Sequence, residues 1–126
     1  ELIKIDKEAC ARIIGFIRNK NGKKLFCCGT TSVRTIESID RVTFDASSGS
    51  YCAETDLFIY DGYNFKNADA IITNFHLPRS TLLMLVAAFS GLATIRHAYA
   101  HAIAARYRFF SYGDVMLLER APPGPG

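Results

Sequence analysis

The sequence predicts an α/β domain whose helices pack on a mainly parallel sheet that also carries a β-hairpin. Three observations point there. Short apolar runs over 24–28, 70–73 and 115–118 read as buried strands. The first two run through polar turns into helix-like segments, the alternation expected of strand–helix units. Asp61-Gly62 separates Leu57–Tyr60 from Tyr63–Lys66, and Asp-Gly supplies the positive φ angles of a two-residue hairpin turn.

Taken in order, Asp6 to Lys20 has helical spacing, with Asp6 as cap and Ala9, Ile13, Phe16 and Ile17 on one face. Asn21-Gly22 stops it. Lys24–Cys28 is a short strand, Gly29–Ser32 a turn, and Ser32–Ile39 a helix. Residues 40–55, with Asp45, Ser47, Ser48, Gly49 and Ser50, read as an exposed loop. After the hairpin come the strand Ala70–Thr73 and the helix Leu82–Phe89, with Ser80 as N-cap and Gly91 as stop. A further helix is expected over Thr94–Tyr107, a turn at Tyr112-Gly113-Asp114, and a strand over Val115–Leu118. Residues 1–120 are expected to be the C-terminal part of the α/β domain, and the Pro/Gly tail 121–126 to be disordered.

With 126 residues, 49% apolar and 21% charged, the composition is that of an ordinary globular domain. Fifteen basic against twelve acidic side chains give +3, which permits a nucleic-acid partner without demanding one. The longest apolar run, Leu82–Phe89, is too short to span a bilayer, and no signal-peptide pattern is seen. No membrane association and a cytoplasmic location are expected. The four cysteines have neither CxxC nor metal-ligand spacing and read as thiols in a reducing compartment. Three or four core strands are fewer than the roughly five to six of a mean sheet. Together with the missing initiator Met, this suggests a fragment whose other strands lie upstream.

Three constellations can carry chemistry. In Gly29-Thr30-Thr31-Ser32-Val33-Arg34-Thr35, hydroxyls and helix N–H groups can receive a phosphate, carboxylate or ribose, with Arg34 adding charge. Simple capping by Thr30 or Thr31, with Arg34 beside Glu37, explains it as well. In Asn74-Phe75-His76-Leu77-Pro78-Arg79-Ser80-Thr81, four polar groups sit where a strand ends and a helix begins, the place where α/β sheets bind ligands. His76 can exchange a proton near neutrality and Arg79 can hold an anion. The bland alternative is a His bonded to a nearby carbonyl and a solvated Arg. In Arg106-Tyr107-Arg108-Phe109-Phe110-Ser111-Tyr112-Gly113-Asp114, aromatics alternate with basic residues as in nucleic-acid binders, although the two Phe suit a core equally well. His97 and His101 share a helix face but lack the Glu of HExxH and a third ligand, so no metal is expected.

These three motifs, in this order, with Glu37 after the first and Thr55–Tyr60, Gly62-Tyr63 and Phe65-Lys66 between the first two, resemble the S-adenosylmethionine:tRNA ribosyltransferase-isomerases of queuosine biosynthesis. The resemblance runs from Gly29 to Leu118 and is to the C-terminal part of that family. It departs at Asp61, where the family usually carries Pro, and in the tail. It implies a fragment of a larger two-domain enzyme, α/β plus β-barrel, monomeric at full length. It also implies transfer and isomerisation of the ribosyl group of S-adenosylmethionine onto 7-aminomethyl-7-deazaguanine in tRNA, giving epoxyqueuosine, without a metal. C–H groups beside a sulfonium are acidic, and adenine leaves more easily when protonated, so the reaction wants an acid or base near neutrality. His76 is the first candidate, and Asp114 a second or an orienting partner. Arg34 and Arg79 would hold the methionine carboxylate or a tRNA phosphate. Thr30, Thr31, Ser32 and Asn74 would hold ribose or base, with Ser80 and Tyr112 also lining the site. Two rivals stand beside this reading. One is a truncated tRNA- or nucleoside-binding module without turnover; the other is a sugar-phosphate isomerase or transferase.

Overall fold

In the computed structural model, residues 2–54, 59, 62–77 and 80–122 are described. The elements are β1 (Leu2–Asp6), α1 (Lys7–Arg18), β2 (Phe26–Cys28), α2 (Thr30–Glu37), a 3₁₀ turn (Ile39–Arg41), β3 (Thr43–Asp45), β4 (Ser50–Glu54), β5 (Ala70–Asn74), α3 (Thr81–Ser90), α4 (Leu92–Ala104) and β6 (Val115–Glu119). Among the described residues they make two three-stranded sheets, ordered β1-β4-β3 and β2-β5-β6. The α/β class is as expected.

The first sheet was not anticipated. Leu2–Asp6 alternates, with Ile3 and Ile5 buried against Cys10 and Ile39. That is the period of an antiparallel strand with one wet face. The expected exposed loop over 40–55 is instead a β3–β4 hairpin. Its turn is built by Asp45, whose carboxylate accepts from Ser47 N, Ser47 Oγ and Ser48 Oγ, while Gly49 takes φ 70°. Polar turn residues had masked two short strands joined by the Phe44–Tyr51 ring contact at 5.3 Å. Of the hairpin expected at 57–66, residues 57, 58, 60 and 61 lie outside the described residues, and its second arm, Tyr63–Lys66, is not strand.

The second sheet carries the core. β2 pairs parallel with β5, and β6 pairs antiparallel with β5. The expectation of a mainly parallel sheet therefore holds only for β2–β5 among the described strands. The cause is the pair of helices between β5 and β6. One crossover helix would return the chain to the far end of the sheet and force a parallel strand. Here α3 and α4 bend by 116° at Gly91, and the following turn comes back to the end that β5 left, where Phe110 N–H donates to Phe75 O at 3.1 Å. Strand β6 must then run backwards. No single described helix is long and apolar enough to cross a membrane. Val33 and Ile36 of α2, Leu85, Val86 and Phe89 of α3, and Ile95 and Ala102 of α4 pack with Cys27, Ile71, Met116 and Leu118. All three helices thus cover one face of the sheet.

The caps fall at Asp6, which accepts from Glu8 N and Ala9 N, and at Ser80, whose Oγ accepts from Leu83 N at 3.1 Å. Gly91 closes α3 at φ 92°. Ser80→Ala should cost about 1 kcal/mol, as N-cap losses do, read as a lowered urea midpoint with unchanged slope.

Two carboxylates hold the long connections in place. Glu37, 2% exposed at the end of α2, accepts from Tyr63 Oη, Lys66 N, Asn67 N and Ala68 N. Asp69 accepts from Lys20 Nζ at 2.6 Å, Leu25 N at 2.8 Å and Arg120 Nη2 at 2.9 Å. Burial pushes the Asp69 carboxyl up, but the bonds from Lys20 and Leu25 and the charges of Lys20 and Arg120 outweigh it and keep it below the usual range. The chain segment from 63 to 69 is thereby stitched to α2, to the entry of β2 and to the exit of β6. Ala121 N–H donates to Phe89 O at 2.8 Å, and residues 123–126 lie outside the described set.

Candidate functional site

Sheet pairing gathers the three motifs at one end. Gly29, at φ 91°, follows β2 and donates its N–H to Ile72 O of β5 at 2.7 Å. A Cβ-bearing residue would be strained at that angle. The turn opens directly into α2, which has no side-chain cap. The expected capping by Thr30 or Thr31 does not occur, because both lie inside the first turn with Ser32. Thr30 is half-buried; Thr31 and Ser32 are exposed. The free N–H groups of that turn are an anion-binding end of the kind expected where a strand feeds a helix. Arg34 is half-buried one turn on.

Strand β5 ends at Asn74, opposite Val115, and Asn74 Nδ2 donates to Asp114 O at 3.3 Å. His76 follows. Its N–H donates to Tyr99 Oη at 2.8 Å, and its Nε2 lies 3.0 Å from Thr73 Oγ1, where either group can donate according to the ring tautomer. Phe75 between them is buried against Phe109, Tyr99 and Tyr107. His76 is therefore fixed at backbone and ring on a rigid aromatic base. Burial lowers its pKa below the ordinary 6.5, so it stands neutral at pH 7.

The third motif is a turn locked from inside. Asp114 accepts from the backbone N–H and the Nε of Arg108. These bonds, foremost the backbone one, hold its carboxyl below the usual carboxylate range, so it carries no proton at neutral pH. Gly113, at φ 122°, leaves room for the Arg108 guanidinium; a Cβ there would come within 3.0 Å of it. Tyr112 is 70% exposed, its ring 6.4 Å from that of Phe110. Phe109 packs in the core as the bland reading had it, whereas Phe110 is exposed and takes φ 58°.

Asn74, His76, Asp114 and the amino end of α2 thus share one end of the sheet. Ser80 serves α3 as its cap, with its Oγ already accepting a bond. Arg79 lies outside the described residues. Among the described residues no group of three or more His, Cys, Asp or Glu gathers as for a metal. A surface concavity lined by Ile14, Ile17, Ile39, Asp40 and Asn67 among others lies elsewhere and contains none of the candidate residues. Sequence reasoning missed Thr73, Tyr99 and Arg108 as supports. Thr73 sits inside a strand read as buried, Tyr99 inside an expected helix given no role, and Arg108 in a motif read as basic residues alternating with aromatics for nucleic acid.

The lowered pKa of His76 has a pH consequence. Between its folded pKa and 6.5 the unfolded chain binds more protons than the folded one, so stability falls as pH drops through that window and levels off below it. His76→Gln should flatten that part of the profile, seen by comparing urea midpoints of the two proteins from about pH 5 to 8.

A sequence profile of the family described as "Queuosine biosynthesis protein" matches residues 1–118. The chain is 59% identical over 102 residues to the S-adenosylmethionine:tRNA ribosyltransferase-isomerase of Ralstonia nicotianae, covering 81% of this chain and 28% of that protein. To the protein of the same name from Burkholderia cenocepacia it is 50% identical over 126 residues, covering 97% of this chain and 34% of the relative. The crystal structure of S-adenosylmethionine tRNA ribosyltransferase from Thermotoga maritima superposes with a TM-score of 0.77 at 46% identity, covering 92% of this chain and 39% of that one. The chain therefore spans about a third of the length of the curated relatives it matches.

Proposed function

The chain belongs to the queuosine biosynthesis protein family, and on that premise we propose that it carries part of the active site of an S-adenosylmethionine-dependent tRNA ribosyltransferase-isomerase. In this reading the ribosyl group of S-adenosylmethionine is transferred and isomerised onto 7-aminomethyl-7-deazaguanine in tRNA, giving epoxyqueuosine, with adenine and methionine released.

The observation that carries the reading is His76: buried enough to be neutral, fixed by Tyr99 and Thr73, and standing at the strand end where α2 presents free N–H groups. A neutral imidazole can accept a proton from carbon beside the sulfonium; the resulting imidazolium can then return a proton to departing adenine. Asp114, held ionised by Arg108, cannot donate a proton, and its part is to position the 108–114 turn and, through its carbonyl, Asn74. The amino end of α2, with Thr30, Thr31, Ser32 and Arg34, suits the methionine carboxylate or a tRNA phosphate. Asn74 and Ser80 would contact ribose or base, Arg79 would hold the methionine carboxylate or a tRNA phosphate, and exposed Tyr112 offers a ring for stacking. The likeness to the family leaves the sugar-phosphate reading without support.

Adenine released from S-adenosylmethionine tests this, measured by chromatography with tRNA bearing 7-aminomethyl-7-deazaguanine. The protein to use is the Burkholderia cenocepacia relative with this chain spliced in place of its matched third. Release that depends on the modified tRNA is expected; a folded splice without release overturns the reading. Because the chain spans only about a third of its relatives, a second reading applies to it in isolation: salt-sensitive tRNA binding without turnover.

A further inference from the structure

The end of the sheet opposite His76 carries cations that the candidate site does not use. Between α1 and β2 the chain reads Arg18-Asn19-Lys20-Asn21-Gly22-Lys23-Lys24. Asn21 and Gly22 take φ 52° and 77°, and Lys23 N donates to Lys20 O at 2.9 Å, so the segment is a tight turn. Lys20 fixes that turn to the rest of the fold: its Nζ donates to Asn67 O at 3.1 Å and to Asp69 Oδ2 at 2.6 Å. Asn67 in turn lines the surface concavity whose apolar wall is Ile14, Ile17 and Ile39, and Arg18 and Lys66 stand in its lining as well. The concavity measures about 240 Å³, below the roughly 300–1,000 Å³ of pockets that enclose a whole small molecule, so it suits one ring of a larger ligand.

The charges here are unbalanced. Asp69 is engaged by Lys20 and Arg120, and Asp40 by Lys66 at 3.2 Å. Arg18, Lys23 and Lys24 are exposed and make no ion pair among the described residues. We propose that a strand of the substrate tRNA crosses this turn, with phosphates on Arg18, Lys23 and Lys24 and one unstacked base in the concavity; this rests on the tRNA-modifying reading above. Cations presented on an anchored turn match a row of phosphates and lose little freedom on binding. Asn67 uses its Nδ2 to donate to Ile36 O at 2.9 Å, which leaves Oδ1 to accept from a base amino group. The isoleucines take the apolar face of the base. An acidic protein segment would satisfy the same cations, but it does not call for a ring-sized slot beside them. Strand β5 spans five residues, so the turn and His76 stand roughly 15 Å apart along it. A nucleic-acid strand advances about 3.4 Å per nucleotide, which places the nucleotides held here about four or five positions, or more, from the one that reacts. The turn thus grips the RNA and leaves the chemistry to the other end of the sheet.

The test is tRNA binding by the spliced protein, measured by filter retention from about 50 to 200 mM salt. With Arg18→Ala, Lys23→Ala and Lys24→Ala combined, the slope of log affinity against log salt is expected to fall by about 2–3, and affinity at about 150 mM salt by about tenfold or more. Turnover at saturating tRNA should not change. Lys4→Ala with Arg96→Ala, exposed cations on β1 and α4, should leave the slope as it is. Ile17→Gln should weaken binding about threefold or more at an unaltered slope, because it removes apolar surface and no charge; full affinity in that variant overturns the lodged base. Acetylation of Lys23 and Lys24, resolved by peptide mass spectrometry, should slow by about tenfold with tRNA at about ten times its Kd, while that of Lys4 stays the same. An unchanged salt slope in the triple variant overturns the proposal. So does acetylation of Lys23 and Lys24 slower than that of Lys4 before tRNA is added, which makes a protein segment the occupant. Binding is read without turnover, so the two readings fail separately. A splice that holds tRNA through these cations but releases no adenine upholds this contact and overturns the proposed reaction; tRNA-dependent release with an unchanged slope does the reverse.

Discussion

Replacing Glu37 by alanine is expected to lower stability by about 3 kcal/mol or more, a large fraction of the about 5–15 kcal/mol of an ordinary domain. Four donors converge on its two oxygens: Tyr63 Oη and Lys66 N on Oε1, Asn67 N and Ala68 N on Oε2. Each buried backbone N–H left without an acceptor costs about 1–3 kcal/mol; that of Ala68 is buried and those of Lys66 and Asn67 are partly so, and all three lose their acceptor at once. Glutamine is not a conservative exchange here. Its NH₂ must face one pair of donors, and only the Tyr63 hydroxyl can turn round to accept. Glu37→Gln should therefore cost nearly as much as alanine unless the amide settles on the Tyr63 side, and it should still lose the bond to Lys66. Tyr63→Phe should cost far less, on the order of 1 kcal/mol, because it removes one donor and leaves the three backbone bonds intact. The phenol's pKa, pushed up to about 12 by burial and by Glu37, keeps it a donor across the accessible pH range. Urea midpoints of the three variants check the order; an alanine variant within about 1 kcal/mol of the parent would mean that water replaces the carboxylate.

Replacing His76 by alanine in the spliced protein is expected to cut tRNA-dependent adenine release by about 10²–10⁴-fold, the usual worth of a positioned acid–base group. Affinity for S-adenosylmethionine should change little, since the loss falls on the proton transfer and not on ground-state binding. The pH–rate profile should lose its acidic limb, which in the parent lies below 6.5 because burial lowers the His76 pKa. Tyr99→Phe separates position from chemistry. It removes the acceptor of the His76 N–H while keeping the imidazole, so the rate should fall modestly and the acidic limb should stay. A His76→Ala protein with turnover within a few-fold of the parent, at any pH tested, removes His76 from the chemistry.

Much of the fold was legible because its signals are local. Asp6, Ser80 and Gly91 stop and start helices through bonds to residues within four positions, so their roles could be read from spacing. The strand over 70–74 and its polar exit were equally plain. What misled was also local in appearance. Asp45, Ser47 and Ser48 belong to a tight turn, but the two short strands it joins acquire their stability from each other and from β1. A strand of three residues has no identity until it is paired. The candidate site was half legible. Asn74 and His76 stood out at a strand-to-helix junction; the support of His76, Tyr99, lies 23 residues away in α4, and that of Asn74, the Asp114 carbonyl, 40 residues away across the sheet.

By itself the sequence determined the α/β class, the places where strands run into helices, the caps, and the three ordered motifs that mark the family, since each depends on residue types at short fixed spacings. The tertiary structure decided everything that depends on which distant groups meet. It turned Glu37 from a helix-surface acid into a buried clamp, and it bound the Asp114 carboxylate to Arg108 within the turn. It reversed β6 by bending the two expected helices through 116° and bringing the following turn back to the end that β5 left. It left Phe26, Leu117 and Val115 exposed together on one sheet face, which alternation along any single strand could not reveal, because a face exists only once β2, β5 and β6 are paired in register.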